Sequence, residues 1–237
     1  WTFNNEDVSA VWASRGGYGW QHLLRHLQLS KFKKDPKCYI WYSDNTVIQS
    51  FLLRNNFASI HGQTIKTSSF GVTGESYNLI FDILNGKKPS YTLEANPLNK
   101  KGAVEGQLIG GNLALIYALL GTTYSFNFKD KILFIEDIGE NYYVLDRMLM
   151  SLELAGVFRK IKGLIIGGMT NMGDEKDNKK YEESFDEFSY QLLADRLKKY
   201  DFPTLFGFPN GHIFDNKPLI IGANITLKIA DQVQVKF

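Results

Sequence analysis

The first 62 residues alternate between short apolar runs and helical patterns, and this alternation limits the folds that the chain can adopt. Apolar runs at residues 8–13, 38–42 and 58–60 predict strands. Helical patterns at residues 20–29 and 47–52 separate them. The order strand–helix–strand–helix–strand is typical of a parallel sheet whose faces are covered by helices. The second run is almost wholly apolar or aromatic, as expected of a strand buried on both faces.

The rest of the chain predicts a second α/β unit with a different ending. Residues 86–102 are rich in turn-forming residues and indicate a linker, whereas residues 218–237 predict an antiparallel hairpin. A mixed charge run at residues 174–183 is expected to be a solvated loop. The expected organisation is an N-terminal α/β domain, a linker and a C-terminal α/β domain with a β-rich end, at residues 1–88, 89–105 and 106–237.

Composition excludes several classes of protein. Basic and acidic residues number 27 and 25, and the resulting net charge of +2 gives no strong field toward nucleic acid or a membrane surface. No apolar run approaches the roughly 18 residues that predict a membrane span. A single cysteine, Cys38, excludes an internal disulfide and a multi-cysteine zinc site. Its apolar neighbours are typical of a buried thiol.

The four histidines differ in their sequence contexts. His22 and His26 share one face of a predicted helix, but they lack the acidic residue of a metalloprotease motif, so packing or exposure is favoured over metal binding. His61 follows a predicted strand and is expected at a sheet edge near a cleft. His212 lies in a loop rich in Gly and Pro, which makes it the better functional candidate.

Ser43 lies where the buried second strand ends and the next helix begins. A sharp turn there exposes the hydroxyl and directs backbone N–H groups at the positive end of the helix to the same place. That combination suits a nucleophile with an oxyanion hole. A helix N-cap is the alternative, because serine before a helix is common. The nucleophile-elbow motif G-x-S-x-G is absent, since Trp41 and Asn45 occupy its glycine positions.

Two further strand ends carry polar groups. The segment Arg15-Gly16-Gly17 follows the first predicted strand, and its glycines permit close approach of backbone N–H groups to a ligand, although a simple turn also explains them. It does not match the dinucleotide-binding pattern. Glu136 and Glu140 come at the end of a later strand, and the residues alone do not select either as a catalytic acid.

Eight short segments of the chain form a familiar series: residues 13–19, 42–46, 60–62, 111–113, 133–140, 146–149, 207–212 and 219–223. In this order and at these spacings they resemble the LD-carboxypeptidase family of serine peptidases. The resemblance runs from about residue 8 to the end of the chain. The family trims murein tetrapeptides and has a microcin-immunity branch. The fold implied is a flavodoxin-like parallel sheet followed by a C-terminal α/β domain.

The resemblance implies a Ser–Glu–His triad without a cofactor or metal. Carried over by motif, the nucleophile is Ser43, the acid is Glu136 and the base is His212. The oxyanion hole of the family is built from backbone N–H groups, which here would belong to Asp44 and Gly17. The expected reaction is hydrolysis of the amide bond between an L-configured diamino acid and a terminal D-amino acid.

A carboxypeptidase must also bind a free carboxylate. Arg15, next to Gly16, is a candidate for this role, and a structural ion pair is the alternative. Three positions depart from the family pattern and put the shape of the pocket in question: Trp41, Gln63 and Thr123. The resemblance also implies a peptide substrate, a homodimer and a cytoplasmic location.

Other functions remain open at this point. The order serine, acid, histidine also fits the α/β-hydrolases, although the missing elbow motif and the β-rich end oppose that class. A non-catalytic muropeptide-binding relative would keep the scaffold without turnover. The microcin-immunity branch would cleave aminoacyl-nucleotide conjugates and would need an aromatic stack for the base.

The chain begins at Trp1 without a methionine. In the family, the strand before the Arg-Gly-Gly segment is not the first of its sheet. About two strand–helix units, of about 30 residues each, are expected to precede it. The first domain is therefore expected to be truncated at its start.

Overall fold

The strands of the protein form two sheets in the computed structural model, which describes residues 5–70, 74–173 and 184–237. The strands are β1 (Ala10–Trp12), β2 (Cys38–Trp41), β3 (Ser59–His61), β4 (Ser90–Glu94), β5 (Gly102–Asn112), β6 (Ile132–Ile138), β7 (Gly163–Thr170), β8 (Thr204–Phe206), β9 (Leu219–Ile221), β10 (Asn224–Ile229) and β11 (Gln232–Lys236). The α-helices are α1 (Thr46–Arg54), α2 (Gly74–Leu84), α3 (Leu113–Leu119), α4 (Tyr142–Leu154), α5 (Val157–Lys160) and α6 (Glu187–Leu197). Short 3₁₀ helices cover Trp20–His26, Ser43–Asn45 and Ile65–Phe70.

The smaller sheet has the strand order β1-β2-β3-β9. Its first three strands are parallel, and β9 pairs antiparallel with β3. Because successive side chains of a strand face opposite ways, β2 supplies both faces. Tyr39 and Trp41 pack with α1, whereas Ile40 packs with Ile60 and α2. The prediction that this strand is buried on both faces is confirmed.

The larger sheet has the order β4-β11-β10-β5-β6-β7-β8. Strands β5 to β8 are parallel, and β4, β11 and β10 form an antiparallel extension at the side of β5. Leu133 and Ile135 of β6 pack under α3, α4 and α6, while Phe134 faces a core formed with β9 to β11. The mixed α/β class and the antiparallel hairpin at the end of the chain are therefore confirmed.

The two sheets meet through the segment between β9 and β10. Leu108 of β5 donates its N–H to the Ala223 carbonyl at 2.8 Å and accepts from the Gly222 N–H at 2.7 Å. Strand β9 thus completes the smaller sheet while its continuation joins the larger one. The carboxyl ends of β2 and β6 consequently lie close together, which is the location where open α/β sheets bind ligands.

Four local expectations differ from the structure or lie outside the described residues. The segment predicted as a linker contains β4, because its partner β11 comes from the far end of the chain. Cys38 is exposed rather than buried, since it lies at the first position of β2. The pattern at residues 20–29 yields the 3₁₀ helix Trp20–His26 rather than a longer helix. The charge run at residues 174–183 lies outside the described residues.

The described helices are too short or too polar to cross a bilayer. The longest, α4, has 13 residues, against the roughly 20 that a spanning helix needs.

Candidate active site

Ser43 occupies a strained turn between β2 and α1. Its φ of +65° lies in the left-handed region, which non-glycine residues rarely adopt. Such strain costs about 1–3 kcal/mol and clusters at functional sites. The turn is held from both sides by Thr46, whose hydroxyl donates to the Ser43 carbonyl at 2.9 Å and accepts from the Asn112 N–H at 2.9 Å. The sequence feature noted above, a serine between a buried strand and a helix, therefore produces a strand–helix elbow.

Three side chains predicted from different parts of the sequence lie in one line. The Nε2 atom of His212 is 2.9 Å from Ser43 Oγ, and its Nδ1 atom is 2.8 Å from Glu136 Oε2. Glu136 is fully buried on β6, whereas Ser43 is half-buried. The imidazole therefore bridges a reachable hydroxyl and a buried carboxylate, which is the arrangement that activates a serine.

The His212 loop approaches Glu136 closely because Gly211 has no side chain. A Cβ at this position would lie 2.8 Å from Glu136 Oε2, and the φ of +126° also favours glycine. Asn210 anchors the loop by donating from Nδ2 to the carbonyls of His61, at 3.1 Å, and Lys217, at 2.7 Å. His212 is thus held by a loop that is anchored at Asn210 and packed closely against Glu136 at Gly211.

Electrostatic coupling favours the charged forms of both His212 and Glu136. Burial disfavours charge on the His212 ring, but attraction and hydrogen bonding to Glu136 outweigh it and raise the pKa of the imidazole. Burial likewise opposes charge on Glu136, but His212 holds the pKa of this carboxyl below its usual range. Glu136 is therefore ionised and able to stabilise an imidazolium.

A cavity of about 380 Å³ opens in front of the serine. Its wall includes the predicted oxyanion and substrate residues Gly17, Gly16 and Arg15. A Cβ at Gly16 would lie 3.1 Å from Ser43 Cβ, so only glycine fits there without displacement. The other lining residues are Tyr42, Ser43, Thr64, Lys66, Thr67, Ile138, Asn171 and His212.

The glycine loop is tied to the serine turn by Asp44. Its carboxylate accepts the Trp20 N–H at 3.1 Å. Arg15 is exposed and donates from Nε to the Gly16 carbonyl at 3.2 Å, and the ion pairs found among the described residues do not include it. The structural ion pair considered for Arg15 is thus not found there.

Asp137, which sequence reasoning did not select, follows Glu136 on β6 and faces the opposite side of the strand. Its carboxylate accepts from Asn112 Nδ2 at 2.8 Å and from the N–H groups of Ala114 and Ile138 at 3.0 and 2.9 Å. Burial and the neighbouring Glu136 raise its pKa to about 7. The sequence placed Glu136 and Glu140 at this strand end and gave no sign that Asp137 would be buried against Asn112.

The remaining histidines lie in unlike surroundings. His22 and His26 are exposed on a 3₁₀ helix, and the described residues contain no group of three ligand side chains suited to a metal ion. The expectation that His61 lies at a sheet edge is wrong. Strand β3 runs between β2 and β9, and His61 is fully buried.

Similarity to known proteins agrees with this geometry. The family models that match are the LD-carboxypeptidase N-terminal domain, over residues 1–62, and the LD-carboxypeptidase C-terminal domain, over residues 105–227. The chain belongs to the LD-carboxypeptidase family. It is accordingly a serine-type hydrolase with LD-carboxypeptidase activity on a peptide substrate.

Individual relatives extend over almost the whole chain. A probable murein peptide carboxypeptidase of Bacillus subtilis is 30% identical over an alignment of 241 positions, which covers 98% of this chain and 73% of that protein. The crystal structure of muramoyltetrapeptide carboxypeptidase from Oxalobacter formigenes has a TM-score of 0.85 at 30% identity and covers 99% of this chain and 80% of that one. The microcin C7 self-immunity protein MccF of Escherichia coli is 25% identical over 94% of this chain and 72% of its own length.

Proposed function

We propose that the protein hydrolyses the bond between an L-configured diamino acid and the terminal D-amino acid of murein tetrapeptides, by a Ser43–Glu136–His212 triad and an acyl-enzyme. One observation carries the proposal. The hydroxyl, imidazole and carboxylate form a continuous chain with contacts of 2.9 and 2.8 Å beside an open cavity. The names of the murein carboxypeptidases among the relatives support the substrate class.

Acylation begins with proton transfer from Ser43 to His212. As Oγ attacks the carbonyl before the terminal residue, Nε2 accepts the hydroxyl proton, and Glu136 fixes the tautomer with the proton on Nδ1 and stabilises the imidazolium. The imidazolium then protonates the leaving amino group, and the D-amino acid departs. The same imidazole then takes a proton from a water molecule, which attacks the ester. The shortened peptide is released with a free carboxyl group, and the imidazolium returns the proton to Ser43 Oγ.

Backbone N–H groups of Asp44 and Gly17 are the proposed donors to the oxyanion. Asp44 follows Ser43 in the turn, and Gly17 lies in the cavity wall. The two segments are joined by the hydrogen bond from the Trp20 N–H to the Asp44 carboxylate. Removing one such donor typically costs ~3 kcal/mol of barrier. The donors act on the charge that develops in the tetrahedral intermediate, which raises kcat rather than substrate affinity.

Arg15, with Gly16 beside it, is proposed to bind the free carboxylate of the substrate. Support comes from its exposed guanidinium at the rim of the cavity. The planar fork of an arginine suits a carboxylate. Lys66 lines the same cavity and adds a second positive charge, whereas the described lining residues include no Asp or Glu. An anionic peptide terminus is therefore favoured in this cavity.

The activity is expected to depend on pH through His212. Only the neutral imidazole accepts the serine proton, and the pKa of His212 is raised by Glu136. The acid limb of kcat/KM should therefore show an apparent pKa above the ~6.5 of free imidazole. Initial rates from pH 5 to 9 measure this limb, and a midpoint below 6.5 contradicts the assignment.

The stability of the fold should respond to pH in the opposite direction. The contribution of His212 to the free energy of unfolding is present below pH ~6.5 and is lost as pH rises through the raised pKa of the imidazole.

Product analysis by mass spectrometry tests the substrate. Muropeptide tetrapeptides ending in D-alanine should lose one alanine, whereas the same peptides ending in L-alanine or a C-terminal amide should remain intact. Preference for an aminoacyl sulfamoyl adenosine over every tetrapeptide would contradict the proposal and favour the second candidate, cleavage of aminoacyl nucleotides.

That second candidate rests on similarity to MccF. A nucleotide base binds best against an aromatic face. In the cavity in front of Ser43, the described lining residue that could stack on a base is Tyr42. The centre of its ring lies 4.9 Å from that of the His212 ring, so one side of Tyr42 is already occupied. The tetrapeptide is therefore preferred. The homodimer, the cytoplasmic location and the division at residues 1–88, 89–105 and 106–237 stay predictions from sequence.

A further inference from the structure

We infer that His61 is a positioning residue for Glu136, whose second carboxylate oxygen it holds through Nε2–H while the first oxygen serves His212. The inference rests on the proposed triad. It adds a fourth side chain to the line formed by Ser43, His212 and Glu136. His61 would touch neither the substrate nor the reacting atoms.

A buried nitrogen of His61 and a buried oxygen of Glu136 lie near each other without forming a hydrogen bond. His61 Nε2 lies 3.9 Å from Glu136 Oε1, and both side chains are fully buried. Within the described part of the chain, no hydrogen bond of normal length and angle reaches either ring nitrogen of His61 or this carboxylate oxygen, although the Asn210 and Asn112 side chains lie near enough to favour the charged forms of His61 and Glu136 respectively. A buried polar atom without a partner costs about 1–3 kcal/mol. A shift of about 1 Å would bring the two atoms to a normal bonding distance of ~2.9 Å and satisfy both.

The ring of His61 is confined. It lies edge-on to Phe134 of β6 at 5.3 Å and to Tyr42 at 6.1 Å. Asn210 holds its carbonyl from the loop that carries His212. One small region therefore contains the acid, the anchor of the base loop and the imidazole of His61. Displacement of any of these would move Glu136 relative to His212.

A neutral donor suits this position better than a cation. Burial, opposed by Glu136 and reinforced by the charge of His212, lowers the pKa of His61 to about 4. The ring is thus uncharged at neutral pH. Its Nε2–H can donate a hydrogen bond to Oε1 and keep its proton, so the negative charge that stabilises the His212 imidazolium is not cancelled. The sequence offered only a histidine followed by glycine at a strand end, and the buried partner was not evident from it.

The test compares His61→Phe, which keeps an aromatic ring without the donor, with His61→Gln, whose amide N–H can approach the position of Nε2. We expect His61→Phe to lower kcat by about 10- to 100-fold, because small misplacement of a catalytic group has effects of this size. KM should stay within about twofold, since the ring does not contact the substrate. His61→Gln should recover most of the lost kcat.

A second readout separates positioning from a general loss of stability. NMR titration of the His212 ring should give a lower pKa in His61→Phe than in the parent. Without the contact from His61, the Glu136 carboxylate would be displaced from Nδ1 of His212 and would raise the pKa of that ring less. Ile60→Ala is the matched control, since it weakens the same strand beside the site. It should lower the melting temperature without moving the His212 pKa.

The inference is overturned if His61→Phe folds with an unchanged kcat and an unchanged His212 pKa. It is also overturned if His61→Gln is as impaired as His61→Phe, or if neither variant folds while Ile60→Ala does. The titration requires no turnover. It therefore still reports on His61 if Ser43 proves not to be the nucleophile, so failure of the proposed function would be recognised separately.

Discussion

Ser43→Ala is expected to lower kcat by about 10⁴- to 10⁶-fold on a D-alanine-terminated tetrapeptide, the range found when a triad nucleophile is removed. The substitution removes only the hydroxyl group, and in the proposed mechanism the oxygen of this group attacks the carbonyl. KM should change little, because the cavity wall formed by Gly16, Gly17 and Arg15 remains. The fold should persist, since alanine and serine tolerate the left-handed turn equally poorly. Steady-state rates and thermal unfolding, measured on the same preparation, provide the comparison.

Ser50→Ala is the matched control for this variant. Ser50 is buried on α1, and its hydroxyl donates to the Tyr124 carbonyl at 2.6 Å, away from the cavity. Its removal should cost about 1 kcal/mol of unfolding free energy and leave kcat within about twofold. Parent-like cleavage by Ser43→Ala would show that another group attacks the substrate.

Glu136→Gln is expected to lower kcat by about 10³- to 10⁴-fold, as replacement of a triad acid by its amide does. A glutamine can present its N–H to Nδ1 and thereby stabilise the tautomer that has its proton on Nε2. That tautomer cannot accept a proton from Ser43, which lies 2.9 Å from Nε2. Burial lowers the pKa of His212, and the Glu136 carboxylate that opposes this effect would be absent, so the pKa of His212 should fall. Initial rates and the NMR titration of His212 measure the two effects.

Glu153→Gln makes the same chemical change far from the cavity. Glu153 of α4 pairs with Arg196 of α6 and with Lys199, which lies just beyond the end of α6. This control should leave kcat unchanged and alter stability by less than about 1 kcal/mol, as expected of partly exposed ion pairs. If Glu136→Gln retained both the parent rate and the parent pKa of His212, Glu136 would not be the acid.

The proposed nucleophile, Ser43, was accessible to sequence reasoning because the features that place it at a turn are local. Residues 38–42 predict a buried strand and residues 47–52 a helix, so the serine between them had to lie at a strand–helix turn. The choice between N-cap and nucleophile depended on a histidine 169 positions away in the chain. Only the resemblance to a family, and then the fold, connected the two.

The features that sequence reasoning missed all depend on distant partners. Ser90–Glu94 carries turn formers on both sides and becomes a strand because β11 supplies its hydrogen bonds. His61 was expected at a sheet edge, but β9 returns from the C-terminal region and pairs with the open side of β3, to which His61 belongs. Glu136 and Asp137 are neighbours in sequence, yet one faces His212 and the other faces Asn112 and α3. Alternation along a strand predicts opposite faces, but not what each face meets.

Reaction with a fluorophosphonate, followed by peptide mapping, tests whether Ser43 is a nucleophile activated by His212. Such a reagent phosphonylates a serine whose proton is removed by a neighbouring base. Activation of Ser43 by His212 and Glu136 predicts one adduct per chain, on the peptide that contains Ser43, with much slower labelling in Glu136→Gln. An adduct on a different residue, or none on a preparation that cleaves the tetrapeptide, would contradict the account.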